Sequence, residues 1–273
     1  LNEGIHILRM NSVNYGVVWT TRHKTDLING VSRTMKQLVA LFLALILPQI
    51  AFAQPALIDP LAPAKQLVVE GQYAEAIAAF ERVRVQEPKA ITPLDGDMFG
   101  AVYGILKDKD GHLLHCRWLF KRFPLKDDTR VEDAERTAKA YVMFPGASNK
   151  RLLRKAQEYT QYAVEKGKGG FLPWFYVAHG MSEYRLEHYS EASAWLRRSI
   201  HEEDPNVRSL ALAYQAMSIY QRGYPDKAKG LLSEAQKAFG KLAKPGTREY
   251  THQWSNVLTA KLAIEEATEL MKQ

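Results

Sequence analysis

The sequence predicts an all-α fold, a right-handed α-α superhelix of about five helix pairs followed by a C-terminal capping helix. Three observations support this. Apolar residues recur at helical spacing from Leu61 to the end, without the alternating pattern of a strand. Small and large apolar residues return in one frame about every 36 residues. Residues 247–273 form one amphipathic segment that could cover the open end of the last repeat.

The clearest repeat lies in residues 71–88, GQYAEAIAAFERVRVQEP. A Gly-x-Tyr turn precedes a helix with Ala76, Phe80 and Val83 on one face, and Pro88 ends it. A small residue lets two helices approach closely, and a large one fills the next layer. The pattern therefore indicates the second helix of a packed pair.

The same frame recurs along the chain. Ala156, Ala192 and Ala228 hold the small position at successive steps of 36 residues. Ala76 belongs to a second ladder offset by eight residues, which an insertion at residues 145–152 explains. A fixed period is typical of stacked helix pairs. The pairs are predicted at residues 57–88, 97–124, 131–166, 173–203 and 207–240.

This frame resembles a degenerate tetratricopeptide repeat, in which small, large and small apolar residues follow a Gly-x-Tyr turn. Gly180, Ala216 and Ala138 stand where the family has a tiny residue in the first helix of a pair. The resemblance covers nearly all of residues 54–246. The middle of the chain also looks like repeat tails of some bacterial serine/threonine kinases, but no Gly-rich loop, HRD or DFG occurs. The resemblance therefore implies a helical array without kinase activity.

Residues 35–53 have the layout of a secretory signal peptide, with a short basic start and a small-x-small end at Ala53. Their apolar run is 13 residues long, whereas roughly 20 span a bilayer. We expect cleavage after Ala53 and a periplasmic or secreted protein. The alternative is an uncleaved segment anchored in the inner membrane. Residues 1–34 are interpreted as a non-native extension from a start site placed too early or as a disordered segment, with a long cytoplasmic extension as the alternative.

The charge and the cysteine count exclude some classes of protein. The net charge is +7, but residues 1–53 hold five basic and two acidic residues, which leaves 32 basic and 28 acidic residues elsewhere. An excess of four spread over many helices predicts a solvated surface rather than a nucleic-acid interface. Cys116 is the only cysteine, so the core rather than a disulfide must hold the fold. We expect no cofactor.

Three residues of metal-ligating type, His112, His115 and Cys116, lie within five positions. Imidazole and thiolate both suit zinc or copper, and a metal-binding protein is the alternative function. However, His112 and Cys116 hold frame positions of a helix, and structural zinc sites need four ligands. We therefore predict that they pack in the core and bind no metal.

The sequence contains no motif of a known catalytic class. Spacings typical of hydrolases, nucleotide-binding loops or haem attachment do not occur. Paired acids are expected at helix ends or on exposed faces, where they complement helix dipoles or solvent. These pairs are Asp127-Asp128, Glu202-Glu203 and Glu265-Glu266. The chain is predicted to be non-catalytic.

A partner-binding groove is the predicted functional site. In tetratricopeptide arrays the first helix of each pair lines the inner surface, where aromatic, Met and Arg side chains favour binding of a protein or peptide. The alternative is that these side chains pack between pairs. The lining residues are predicted to be Glu135, Lys139, Trp174, Val177, Met181, Tyr184, Arg185, Met217 and Tyr220.

The resemblance thus implies a scaffold or assembly factor of the cell envelope that binds a protein along this groove. Changing Trp174, Met181 and Tyr220 together to alanine is expected to abolish partner binding and to preserve the helical circular-dichroism signal. If the array melts instead, these residues belong to the core.

Overall fold

The computed structural model describes residues 59–272. The predicted signal peptide at residues 35–53 and the interpretation of residues 1–34 lie outside the described residues. Within residues 59–272 the chain forms eleven α-helices, two short 3-10 helices and no strand, so the predicted all-α class is confirmed. No described helix is long and apolar enough to cross a membrane.

Ten of the helices form five consecutive hairpins, and each predicted pair coincides with one of them. The helices are α1 (Ala62–Val69), α2 (Tyr73–Gln86), α3 (Pro93–Leu106), α4 (Lys109–Arg122), α5 (Val131–Val142), α6 (Lys150–Lys166), α7 (Leu172–Arg185), α8 (Tyr189–Leu196), α9 (Pro205–Gln221), α10 (Pro225–Phe239) and α11 (Arg248–Leu270). The 3-10 helices are Pro88–Ala90 and Gly169–Phe171.

The hairpins stack in chain order. The two helices of each hairpin pack against each other, and the second helix of each packs against the first helix of the next. The first helices α3, α5, α7 and α9 also contact one another in succession. The small residues of the predicted frame make this close packing possible. All four are completely buried: Ala76, Ala156, Ala192 and Ala228.

Glycines in the first helices permit the closest approaches. A Cβ added to Gly180 would lie 2.6 Å from Cγ of Leu196 in the other helix of the same hairpin. A Cβ on Gly100 would lie 3.1 Å from the backbone oxygen of Ala140 in α5. Because helix cores are close-packed, a larger residue at Gly100 would press on the backbone of α5, and one at Gly180 would displace the Leu196 side chain. The need for a tiny residue at Gly180 follows directly from this contact.

The turns within four hairpins pass through the left-handed backbone region. The residues there are Gly71, Lys107, Glu187 and Gly223, with φ of 78°, 56°, 67° and 84°. Glycine adopts this conformation without a steric cost, and lysine and glutamate do so at a small one. The third hairpin is connected instead through residues 143–149, the region of the predicted insertion.

The C-terminal helix α11 packs more widely than the sequence predicts. A cap over the last hairpin would contact only that hairpin, and α11 does contact α9 and α10. It also packs against α1 and α3 of the first two hairpins. Its 23 residues give it a length of about 35 Å, enough to reach both ends of the stack. Besides its contact with the last hairpin, α11 therefore lies along first helices of the stack.

Candidate functional site

The surface predicted to bind a partner is partly occupied by the chain's own C-terminal helix. We define the inner surface as the surface formed by the first helices α1, α3, α5, α7 and α9. The Trp254 ring of α11 meets the Phe99 ring of α3 edge-on, with centroids 6.1 Å apart. Leu262 fills the space beside Gly104, since a Cβ there would lie 2.5 Å from its Cδ1.

Arg185 joins four helices at the centre of this contact. Its guanidinium forms a doubly hydrogen-bonded ion pair with Glu266 of α11, one arm being Nη2 to Oε2 at 2.6 Å. Nε donates to the backbone oxygen of Val142 at 2.8 Å, and Nη2 donates to the Tyr214 hydroxyl at 2.8 Å. The planar guanidinium directs its N–H groups at these acceptors simultaneously, which the ammonium of a lysine cannot do. Arg185 is therefore a structural anchor for α11.

The protonation states of this anchor follow from its burial. Burial alone would lower the pKa of Arg185, but Tyr214 and Glu266 outweigh it and raise the pKa above its ordinary value. Burial raises the pKa of Tyr214, with Glu266 acting in the same direction. Arg185 is thus charged and Tyr214 neutral at neutral pH. Glu265-Glu266 is predicted at a helix end or on an exposed face, whereas the Glu266 side chain is mostly buried because α11 turns it toward Arg185.

Most of the other predicted groove residues are inaccessible. Val177, Met181 and Met217 have no exposed surface, and Tyr184 packs between the rings of neighbouring tyrosines. Only Trp174 and Tyr220 are half-buried rather than buried. The neighbouring first helices and α11 cover the rest, as the alternative of core packing anticipates.

This burial changes the meaning of the triple alanine variant. Removing a fully buried Met side chain costs about 2–5 kcal/mol of stability. A variant that includes Met181→Ala therefore reports on the core as much as on any groove. Substitutions that test binding must be confined to side chains with exposed surface.

A separate cluster joins three charged side chains and one tryptophan of the first helices α3, α5 and α7. We call Asp97, Glu135, Lys139 and Trp174 the inner-edge cluster. Lys139 Nζ lies 2.8 Å from Glu135 Oε1 within α5 and 3.1 Å from Asp97 Oδ2 of α3. The same ammonium sits over the Trp174 ring of α7, 5.1 Å from its centroid. The cluster therefore connects three successive hairpins.

The inner-edge cluster carries more negative than positive charge. Burial raises the pKa of Asp97 to about 6, and Lys139 opposes this shift without cancelling it. Attraction to Asp97 and Glu135 outweighs burial and raises the pKa of Lys139. Asp97 Oδ1 is buried and has no hydrogen-bond partner within residues 59–272. A buried carboxylate oxygen without a donor is energetically costly.

Apolar side chains stand one turn before two members of the cluster. Leu94 precedes Asp97 by three residues in α3 and is 41% exposed. Phe171 precedes Trp174 by three residues at the start of α7 and is 52% exposed. Residues three apart share one side of a helix. The edge thus combines exposed apolar groups with an acidic centre.

His112, His115 and Cys116 are packing residues of α4. His112 Nε2 donates to the backbone oxygen of Ala140 at 2.8 Å, and His115 Nε2 donates to that of Gly96 at 2.8 Å. The two imidazoles therefore bind opposite neighbours, α5 and α3, instead of converging on one point. Within residues 59–272 no three His, Cys, Asp or Glu side chains come together as a metal site. Burial raises the pKa of the Cys116 thiol, which makes it unreactive.

The buried histidines predict an acid-sensitive fold. Burial lowers the pKa of His112 from 6.5 to about 4 and that of His115 to about 3. Well above pH 6.5 both histidines are neutral in the folded and in the unfolded chain. Between pH 6.5 and 4 they become protonated in the unfolded chain but stay neutral in the folded one. The free energy of unfolding therefore falls as the pH drops toward 4. Each histidine contributes a slope of up to about 1.4 kcal/mol per pH unit.

Urea unfolding at a series of pH values measures this slope. The His112→Gln variant is expected to lose less stability between about pH 6.5 and pH 4 than the parent protein, because its unfolded chain binds one proton fewer on acidification. Asp97 becomes protonated in the folded chain below its raised pKa, which increases stability as the pH falls. This contribution is the same in both proteins, so it cancels when they are compared. The exposed His252→Gln change is the control, and an equal slope in all three proteins would contradict the prediction.

A hydroxyl, an imidazole and a carboxylate also line up between α6 and α7. Thr160 Oγ1 lies 3.0 Å from His179 Nδ1, and His179 Nε2 lies 3.5 Å from Glu183 Oε1. This order of groups can activate a nucleophile when substrate reaches the hydroxyl. Thr160, however, has no exposed surface. The side-chain amide of Gln157 donates to the same Glu183 oxygen at 2.7 Å. The arrangement therefore serves to give buried polar groups their hydrogen-bond partners.

Sequence reasoning missed three residues that the structure places at these sites. Asp97 and Tyr214 lie in helices whose sequences gave no charge pattern to single them out. Glu266 was recognised only as half of an acidic pair. One usable signal was present, because Glu266 lies four residues after Leu262 on the apolar stripe of α11.

The fold and the inner surface define an all-α protein of stacked helical hairpins closed by a long C-terminal helix. The sequence matches no family model, and comparisons with curated proteins and with solved structures find no significant match. The resemblance to tetratricopeptide repeats therefore stays a prediction.

Proposed function

We propose that this chain is an exported, non-catalytic repeat protein of tetratricopeptide type that binds a partner protein in the cell envelope. Its hairpins are taken to form a right-handed superhelix. The stacking of first helix on first helix along the chain supports this geometry. Export rests on the signal-peptide pattern at residues 35–53.

The inner-edge cluster is the observation that carries the binding proposal. Its Trp174 is half-buried, and Phe171, which lies three residues before Trp174 in the sequence, is exposed. Of the remaining groove residues, Tyr220 is also half-buried and the others are buried, Arg185 against Glu266 of α11. Binding at this edge does not require α11 to move.

The chemistry of the cluster defines the partner segment. Two carboxylates face one ammonium, and the free oxygen of Asp97 needs a donor. An arginine or lysine of the partner at this edge balances the excess negative charge. An apolar residue next to it packs on Phe171 and Trp174, because aromatic side chains supply most of the energy of such interfaces. The partner segment is therefore basic and apolar.

Site-specific photo-crosslinking in producing cells tests this proposal. A photoreactive phenylalanine analogue replaces Phe171, and in a matched control it replaces Tyr224, whose exposure is similar at 55%. We expect one crosslinked protein with the first probe and none with the second. Adding Asp97→Asn is expected to reduce that adduct at least about tenfold, as the loss of one charged hydrogen bond implies.

Two outcomes contradict the proposal. If both probe positions gave the same crosslinked proteins, the adducts would reflect random collisions rather than a specific binding site. An adduct that Asp97→Asn leaves unchanged would show that the acidic centre does not select the partner. Circular dichroism of the Asp97→Asn protein confirms that the helices are intact before either outcome is interpreted.

A further inference from the structure

Basic side chains gather on the outer side of the second and third hairpins. We define the outer basic face as Arg117, Lys121 and Arg122 of α4 together with Lys150, Arg151 and Arg154 of α6. All six side chains are exposed. They belong to the second helices of their hairpins, on the opposite side from the inner surface.

The tertiary structure brings these two groups of cations together. Lys155 Nζ of α6 donates to the backbone oxygen of Phe120 at 3.2 Å. Tyr159 donates its hydroxyl proton to the backbone oxygen of Phe123 at 2.9 Å. These bonds hold α6 against the end of α4. The exposed cations of α6 therefore belong to a helix that is bonded to the end of α4, where Lys121 and Arg122 are exposed.

The charges of the outer basic face have no carboxylate partner among residues 59–272. None of its six cations forms an ion pair with a carboxylate of residues 59–272. Lys150, Arg151, Arg154, Lys155 and Glu158 line a shallow open depression of about 430 Å³. Glu158 is the acid among them. The face therefore keeps a strong positive potential.

Exposed apolar side chains accompany the charges. Leu114 lies one turn before Arg117 on α4 and is 59% exposed. Val85 at the end of α2 is 77% exposed. Arg84 stacks over the Trp118 ring at 5.7 Å, which places α2 next to α4 on this side. Basic groups with scattered exposed apolar residues are typical of surfaces that rest on a membrane interface.

We propose that the outer basic face binds the surface of a bilayer that contains anionic phospholipid. Its cations are spread over two helices and an open depression, which suits many phosphate headgroups better than one small ligand. Each Lys or Arg near an anionic surface contributes about 1 kcal/mol, so several together give firm but salt-sensitive binding. The choice of a membrane over a nucleic acid rests on the proposed export, since an exported protein meets the bilayer.

Binding of the full chain to vesicles tests this inference. Vesicles of phosphatidylcholine mixed with phosphatidylglycerol are compared with vesicles of phosphatidylcholine alone. We expect the partition coefficient to be at least about tenfold higher on the anionic vesicles at low salt, and the preference to vanish at high salt. The variant with Lys121→Gln, Arg151→Gln and Arg154→Gln is expected to lose about tenfold or more of the binding to anionic vesicles.

A matched control removes the same charge elsewhere. Lys227→Gln, Lys229→Gln and Lys237→Gln change three exposed lysines of α10, and binding is expected to fall by less than about twofold. Equal losses in the two triple variants would overturn the proposal, because net charge alone would then explain binding. Equal partition onto neutral vesicles, or a preference that persists at high salt, would also overturn it. The photo-crosslinking experiment at Phe171 is independent of vesicle binding, so a negative vesicle result does not contradict the proposed partner site.

Discussion

Replacing Arg185 by methionine is expected to lower the free energy of unfolding by about 3–5 kcal/mol. The change removes the ion pair with Glu266 and leaves that carboxylate mostly buried without its counter-charge. It also removes the donors to Tyr214 and to the backbone oxygen of Val142. Denaturant unfolding followed by circular dichroism measures the loss.

Two further variants identify the cause of that loss. Lys261→Met breaks the exposed pair of Lys261 and Glu265 in the same helix, and exposed pairs contribute at most about 1 kcal/mol. Adding Glu266→Leu to Arg185→Met removes the uncompensated charge and is expected to restore much of the stability, because apolar replacements of buried pairs are often well tolerated. A single Arg185→Met change that costs less than Lys261→Met would show that Arg185 does not anchor α11.

Replacing Trp254 by alanine is expected to destabilise the fold by about 3–5 kcal/mol. Its side chain is 1% exposed and lies edge-on to Phe99. Removing the indole therefore leaves a cavity between α11 and α3 of the second hairpin. We expect faster hydrogen exchange of backbone amides in α3 as well as in α11.

The exchange pattern separates two descriptions of α11. If α11 spans the stack, α3 loses protection in the Trp254→Ala protein. If α11 serves as an end cap alone, α9 and α10 lose protection and α3 keeps it, which would contradict the structure. Tyr224→Ala is the control, since this tyrosine is 55% exposed and surface changes of this kind stay within about 0.5 kcal/mol.

The helices themselves could be predicted because their signals are local. Helical spacing of apolar residues marks each helix, and the frame of small residues marks each hairpin. Ala76, Ala192 and Ala228 were assigned to buried positions from spacing alone and are fully buried. Spacing of this kind is sufficient since two helices can pack closely only where a side chain is small.

The groove could not be predicted in the same way. Whether a first helix faces solvent depends on what lies across from it, and no local pattern reports that. Met181 and Met217 were assigned to an open surface, yet neighbouring helices cover them completely. Arg185 was expected to meet a partner and instead meets Glu266, 81 residues further along the chain.

The sequence by itself determined the helical class, the hairpin register and the small residues that allow close packing, because these depend on contacts within about one repeat. Only the tertiary structure decided where α11 lies, which carboxylates surround Lys139, and that Lys155 and Tyr159 of α6 bond to the end of α4. The physical reason is distance along the chain. Charges and grooves arise from residues that are far apart in sequence, and their meeting depends on how all the hairpins stack.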